Sequence, residues 1–542
     1  MPSVSDGCFL LNWYEREDAG VPARRWWALA LAAVALMIVL RLLLIAVPLE
    51  RDEGGYAYIA DQWRQGQAPY VHALETKPPG VFAAYALILQ FGRSVEAIRL
   101  AGLAVALLTA LLLWRFVRRA YGARVAGLAV AVTTLLMVAP RYLGFTLNAE
   151  MVMMPFILGA FLCLPFGRAS RGWWSYLLCG VLLGAAVLIK PVALTEALPI
   201  AFVIAVGEGS WRTKCARGIA AGVGFVAVIG LCVALFAWWG AAREMVFWAF
   251  TYNLQYSTDL SAAARIQTLL YRVVFRGLLL RDWAIWLAAG VGAVGLARSR
   301  APLARLFPLV WMLSSFVGVS ASGRWTGHYF QQCLPAVGLL AAIGVSRIID
   351  AIDARHVNLA SKWAAIGMIL MLVTIYPIVL DARSYLAGPQ LARLVYGLNP
   401  FMEGEAVGHY LAAHTTPDET VFVFGTEGEF LFHARRRSAT RFVFTYPLGG
   451  THPRALEWQR QALAEVQRNN PRYIVAVNIG PSFYLNERAP KFLQNETVKM
   501  IAAQYVREAA VIVVGERQTK FMTETLPPPD QTPALVEIFR RR

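Results

Sequence analysis

The feature that most constrains this chain is its succession of apolar runs, many of them near the length of a bilayer crossing. A transmembrane helix needs ~20 apolar residues, and on that yardstick hydropathy places about eleven spans. They lie near 26–48, 95–116, 123–139, 150–166, 173–190, 192–206, 218–239, 284–297, 304–321, 329–348 and 363–381. The runs 192–206 and 284–297 are the shortest. Composition agrees, since 58% of the 542 residues are hydrophobic and only 16% are charged, against roughly 25% charge in soluble domains. A water-soluble enzyme, a disordered chain and a collagen-like repeat are excluded together. The predicted fold is a polytopic α-helical membrane protein. The first run follows Arg24 and Arg25 and is long enough to span, so it reads as a retained helix and not a cleaved signal peptide.

The net charge of +17 invites a nucleic-acid reading, but its placement argues otherwise. Basic residues gather in alternate connections, at 115–124, 167–171, 212–217, 298–305 and 347–362. All five fall on one side if the 1–25 tail is cytoplasmic, which is how Lys and Arg orient membrane proteins. No nucleic-acid partner is needed. An odd number of spans then places the segment after residue 382 outside, together with outer loops 49–92, 140–149 and 240–283. The six cysteines form no Cys-x-x-Cys pair and none follows Cys333, which argues against a disulfide framework or a zinc knuckle.

The segment 383–542 has the charge density of a soluble domain. Within it, 420–424, 473–477 and 510–514 read as buried strands and 455–468 as an amphipathic helix, so a small extracytoplasmic α/β domain is expected. The run Pro527-Pro528-Pro529 reads as a flexible exit.

Several charged residues crowd the predicted outer face. The first outer loop opens Arg51-Asp52-Glu53-Gly54-Gly55. Charge at a membrane surface is costly and often functional, although Asp52 also reads as a helix N-cap. The loop closes Glu75-Thr76-Lys77-Pro78-Pro79-Gly80 ahead of the apolar stretch 81–91, which is too short to span and reads as an interfacial helix. Its N-terminus and the Lys77 ammonium would suit an anion, while a snorkelling lysine is the plainer alternative. Asn148-Ala149-Glu150 opens the fourth span, and Lys190 adds a cation on the same side. Arg324 and His328-Tyr329 precede the tenth span, where a helix starting near Tyr329 would offer another anion site. No second His or Cys stands at zinc-ligand spacing from His328. The aromatics Trp248, Phe250, Tyr252, Tyr256, Tyr271 and Trp283 either line a cavity or form an interfacial belt.

Arg51-Asp52-Glu53 after span one, Lys77-Pro78-Pro79-Gly80, Asn148-Ala149-Glu150 and Arg324 with His328-Tyr329, in that order, resemble the GT-C glycosyltransferases. The resemblance covers roughly residues 26–350 and is nearest to the protein O-mannosyltransferase and lipid A aminoarabinose transferase group. It implies a GT-C-like transmembrane catalytic domain over 26–382 in a bacterial-type inner (plasma) membrane, with an outward-facing site. It also implies a polyprenyl-phosphate-linked sugar donor, usually inverting transfer, and a lipid, glycan or protein acceptor. By the resemblance, Asp52 is the general base, Glu53 supports it, and Glu150 matches the second-loop acid. Lys77 neutralises the lipid phosphate, and Arg324 and His328 sit where they can join it. Tyr329, Lys190 and Glu75 are further candidates. Metal use differs among the relatives, so no cofactor is implied outright and a divalent metal stays open. The competing classes are a ligase or polymerase with a diphosphate-linked donor, and a transporter. A transporter would place its ionisable residues at mid-membrane in repeated halves, and no halves repeat here.

Overall fold

A computed structural model describes residues 23–166, 172–256, 261–272, 281–298, 303–355, 358–483, 488–528 and 532–542, without the side chains of residues 23, 255, 256, 303 and 304. The predicted basic loop 167–171, Arg300 and the cysteine at position 8 lie outside them. The chain divides into two compact units.

The first unit comprises Met1–Leu43, Arg99–Cys232 and Leu260–Leu386. Every apolar run read from the sequence carries a helix. Among the described residues, five helices are long and apolar enough to cross a membrane: Arg24–Leu43, Val95–Leu136, Trp211–Trp238, Leu334–Asp353 and Leu359–Leu380. Shorter apolar helices include Ala149–Leu162, Trp173–Ile189, Trp283–Ala297 and Phe307–Ser320. The 42-residue element Val95–Leu136 is broken at Gly122, whose φ of 85° lies in the left-handed region that glycine tolerates. The break separates the two runs read at 95–116 and 123–139. Leu31, Val226, Leu231 and Leu313 stand exposed on these helices, as suits surfaces bathed in hydrocarbon. The protein is a multi-pass membrane protein.

Arginines hold several helix ends of this unit through hydrogen bonds and ion pairs. The Arg119 guanidinium donates to the carbonyls of Leu162 (2.9 Å), Leu164 (2.6 Å) and Phe166, and so closes the C-terminal end of Ala149–Leu162. Arg124 pairs with Asp350, near the end of Leu334–Asp353, at 2.5 Å. Arg141, Asp282 and Asp381 form a separate buried network, involving the opposite ends of the helices that begin after Gly122 and at Trp283.

The second unit comprises Leu44–Ile98, Val233–Asp259 and Ala387–Arg542. Its sheet contains β1 (Val421–Phe424), β2 (Tyr473–Val477), β3 (Tyr505–Gly515), β4 (Gln518–Met522) and β5 (Ala534–Arg541), in the order β1-β2-β5-β3-β4. β1 and β2 run parallel, with Val421 opposite Tyr473. A parallel pair requires a crossover, and the Ala455–Asn469 helix lies within it, burying Trp458, Ala462, Leu463 and Val466 along one stripe. The three predicted strands are present. The expected flexible exit is corrected: the chain after the proline run returns as β5, between β2 and β3 and antiparallel to both. Pro529 itself lies outside the described residues.

Two expectations for the aromatics of the third loop also change. Trp248 and Tyr252 are buried and pack on Trp458, with ring centroids 4.8 and 5.9 Å away. They belong to the core of this unit and neither line a cavity nor form a belt. Tyr271 and Trp283, in the first unit, are exposed.

Candidate active site

In the second unit the candidate residues stand on the Arg51–Arg64 helix and on the loop leading to the Pro79–Phe91 helix. The cap of the first helix is Glu50. Its Oε1 accepts from the Glu53 backbone N–H at 3.3 Å, and the Glu53 carboxylate reaches back to the Glu50 N–H at 3.5 Å. This reciprocal capping box satisfies two of the amide donors that a helix start leaves open. Asp52 is therefore not the N-cap. Glu50 and Glu53 are 7% and 0% exposed, whereas Asp52 is only half-buried. Of three carboxylates within four residues, Glu50 and Glu53 are buried in the cap and Asp52 is the most exposed.

Burial, and then the carboxylates of Asp52 and Glu53, push the Glu50 carboxyl well above its usual range. Glu429 is shifted the same way, by burial and then by Glu427. Both shifts arise from burial and from the negative charge gathered beneath the helix start.

Lys77 is held from several sides. Glu75 accepts from its backbone N–H at 2.6 Å and from its Nζ at 3.2 Å, and the Tyr70 hydroxyl donates to its carbonyl at 2.7 Å. Asn253 donates to the neighbouring Thr76 carbonyl at 2.5 Å. Pro78 is the extended cap residue and Pro79 the first residue of the following helix, so the backbone after Lys77 is stiff. Lys77 is half-buried and Glu75 fully buried. Glu75 thus acts as the clamp that orients the lysine. Among the described residues, no group of three His, Cys, Asp or Glu side chains is arranged to hold a metal ion.

In the first unit Glu150, Lys190, His328 and Tyr329 come together. The Lys190 ammonium donates to Glu150 Oε1, His328 Nε2 lies 3.9 Å from the same oxygen, and Lys190 Nζ sits 4.1 Å from the centre of the Tyr329 ring. Glu150, Lys190 and His328 are all buried. A carboxylate neutralised by an adjoining ammonium is a poor proton acceptor, so this geometry favours Glu150 as the partner of Lys190. His328 and Tyr329 lie in the 3₁₀ turn Gly327–Gln332, and the α-helix begins only at Leu334. The helix start expected near Tyr329 is therefore corrected by five residues. Arg324 is half-buried just ahead of this turn.

Sequence reasoning missed the network that supports this cluster. Arg141 Nε donates to Asp282 Oδ2 at 2.9 Å, its terminal nitrogens pair with Asp282 and Asp381, and the Tyr142 hydroxyl donates to Asp282 at 2.7 Å. Burial opposes the charge on Arg141, yet Asp282, Tyr142 and Asp381 outweigh it and raise the guanidinium's pKa. Gln331 donates to the Tyr142 carbonyl at 2.8 Å, which ties the Arg141 loop to the turn bearing His328. The available signal was a charged residue at the mouth of an apolar run in each of three distant segments.

Residues 76–239 match the dolichyl-phosphate-mannose-protein mannosyltransferase family. No curated protein matches the chain in sequence. The crystal structure of ArnT from Cupriavidus metallidurans bound to undecaprenyl phosphate is similar with a TM-score of 0.60 at 15% identity, covering 93% of this chain and 99% of that one. The archaeal oligosaccharyltransferase AglB from Archaeoglobus fulgidus, in complex with an inhibitory peptide and a dolichol-phosphate, is similar with a TM-score of 0.54 at 12% identity, covering 96% of this chain and 76% of that one. The chain has the fold of the GT-C membrane glycosyltransferases and resembles the group of the protein mannosyltransferases and ArnT.

Proposed function

We propose that this protein is an integral-membrane glycosyltransferase that moves a monosaccharide from a polyprenyl-phosphate donor to a lipid, glycan or protein acceptor outside the cytoplasm. The observation that carries the reading is the division of labour at the start of the Arg51–Arg64 helix, where Glu50 and Glu53 are buried in the cap and Asp52 is accessible. The likeness to a fold seen with undecaprenyl phosphate supports the donor class.

In the proposed reaction, the acceptor hydroxyl oxygen bonds to the anomeric carbon as the bond from that carbon to the phosphate oxygen breaks. The hydroxyl proton passes to Asp52, and the electron pair leaves with the phosphate. Direct displacement inverts the anomeric centre. A positioned base contributes roughly 10²–10⁴-fold, and a cation at the departing phosphate stabilises the charge that develops there. Lys77 takes that role, with Glu75 fixing its direction. Arg324 and His328 are assigned to the donor phosphate on charge, and Lys190 to its ion pair with Glu150. The five basic loops support an eleven-span topology in a bacterial-type plasma membrane, with Asp52, Lys77 and the C-terminal segment outside.

Lys77→Ala is expected to weaken donor binding and slow phosphate departure, by on the order of 10²-fold in kcat/KM, as for loss of a transition-state charge partner. Lys77→Arg should recover only part, because a planar fork does not replace a compact ammonium. Donor titration checks this, and wild-type affinity for the lipid phosphate in Lys77→Ala would remove Lys77 from the site. A ligase or polymerase using a diphosphate-linked donor is the alternative, and the similar oligosaccharyltransferase, seen with a dolichol-phosphate, does not favour it. Turnover of diphosphate-linked donors alone would establish it.

A further inference from the structure

The Arg51–Arg64 helix is pinned to the C-terminal segment along one stripe. Arg51 Nη2 donates to Glu427 Oε1 at 2.9 Å and to Asn399 Oδ1 at 3.0 Å, and its guanidinium lies 5.5 Å from the centre of the Phe401 ring. A Cβ on Gly54 would stand 2.6 Å from the Glu429 Cβ, and one on Gly55 would run into the Phe444 ring. The Tyr58 hydroxyl accepts from the Ser438 backbone N–H at 2.8 Å. Positions 51, 54, 55 and 58 follow the i, i+3, i+4, i+7 spacing of one helix face. Asp52, about 100° round the helix from Arg51, is off that stripe.

The strongest tie is Glu427, in the turn between β1 and the Gly428–Ala434 helix. It is 0% exposed and both its oxygens are engaged. Oε1 takes Arg51, while Oε2 accepts from the Ser482 hydroxyl at 2.6 Å and the Thr426 N–H at 2.7 Å. A carboxylate fixed at both oxygens gives the residue next to Asp52 a rigid reference point. The two glycines let the helix backbone lie flush against the domain, so rotation about its axis is blocked as well.

We infer that Glu427 is a positioning residue for glycosyl transfer, and that one task of the C-terminal domain is to aim Asp52 through the Arg51–Glu427 pair. This rests on the proposed reaction, in which Asp52 accepts the proton. Misplacing a base by about 1 Å can cost on the order of 10²-fold, with the ground-state donor contacts untouched.

The test uses the full-length protein with wild type, Glu427→Gln, Glu427→Asp and Ser482→Ala. Bound donor is counted per molecule, so that turnover is expressed per competent site. Glu427→Gln is expected to lose roughly 10- to 100-fold in kcat, with the donor KM within about twofold of wild type and one donor still bound per molecule. Glu427→Asp, which keeps the charge, should recover part of the loss. Ser482→Ala, which removes one of the two donors to Oε2 and leaves the Arg51 pair in place, should lose about threefold or more and decides the matter if Glu427→Gln does not fold. Full turnover per bound donor in folded Glu427→Gln, or in Ser482→Ala where Glu427→Gln is unfolded, overturns the positioning role and leaves the glycosyltransferase reading intact. A wild type that turns over no polyprenyl-phosphate donor overturns both.

Discussion

Asp52→Asn should lose at least 10²-fold in transfer rate, the lower end of what a general base supplies, while inserting and folding as wild type does. The substitution keeps the shape of the side chain and removes its ability to take a proton. Glu50 and Glu53 cannot readily substitute, because each is buried and tied to the other's backbone N–H in the capping box. The helix start should also survive, since Asp52 is not its cap. Steady-state rates on purified protein, with thermal unfolding as the folding control, check both halves. Near-wild-type turnover in a folded variant would mean that another group takes the proton.

Arg141→Leu should produce the largest loss of stability. Arg141 is the common partner of two buried carboxylates, Asp282 and Asp381, and Arg281 reaches only Asp381, at 2.5 Å, from a more exposed position. Removing one member of a buried ion pair leaves uncompensated charge and typically costs about 3–5 kcal/mol. Here one carboxylate loses its main cation and the other loses one of two. The cluster of Glu150, Lys190 and His328 should loosen with it, because Gln331 ties its turn to the Arg141 loop. Unfolding midpoints in detergent check the prediction. Adding Asp282→Asn to Arg141→Leu should restore part of the loss, since it removes a stranded charge. An unchanged midpoint in Arg141→Leu would show that the network carries little of the stability.

The helical part of this fold was legible because bilayer crossing imposes a strong local pattern, and each of the eleven runs read as spans carries a helix among the described residues. The strands at Val421–Phe424 and Tyr473–Val477 were legible for a related reason, being short, β-branched or aromatic and buried throughout. β4 and β5 were not. Gln518–Met522 is largely polar, and Ala534–Arg541 follows a proline run and ends in arginines, so only pairing with β2 and β3 reveals them as strands.

The candidate site divides in the same way. Asp52, Lys77, Glu150, Lys190 and His328 stood out as charges beside apolar runs. Which of the neighbouring acids is accessible could not be read locally, because burial of Glu50 and Glu53 depends on docking against a helix more than 370 positions along the chain. The pairing of Glu150 with Lys190, and of Arg141 with Asp282 and Asp381, likewise joins distant segments whose local sequence carries no sign of the partner. The role of Glu75 was ambiguous for a different reason: a carboxylate two residues from a lysine can serve as a ligand or as a clamp, and only the contacts at both the Lys77 N–H and Nζ favour the clamp.

The most direct measurement of the central claim is the fate of the lipid carrier. Purified protein in liposomes would be given a panel of polyprenyl-phosphate-linked monosaccharides, the matching diphosphate-linked donors, and membrane extract as the acceptor source. Released carrier and transferred sugar would then be counted by mass spectrometry, with Asp52→Asn alongside. The account predicts that at least one monophosphate donor is consumed, that one polyprenyl phosphate appears for each sugar transferred, that the anomeric centre inverts, and that Asp52→Asn does none of this at a comparable rate. Consumption of diphosphate donors alone, or equal turnover by wild type and Asp52→Asn, would contradict it.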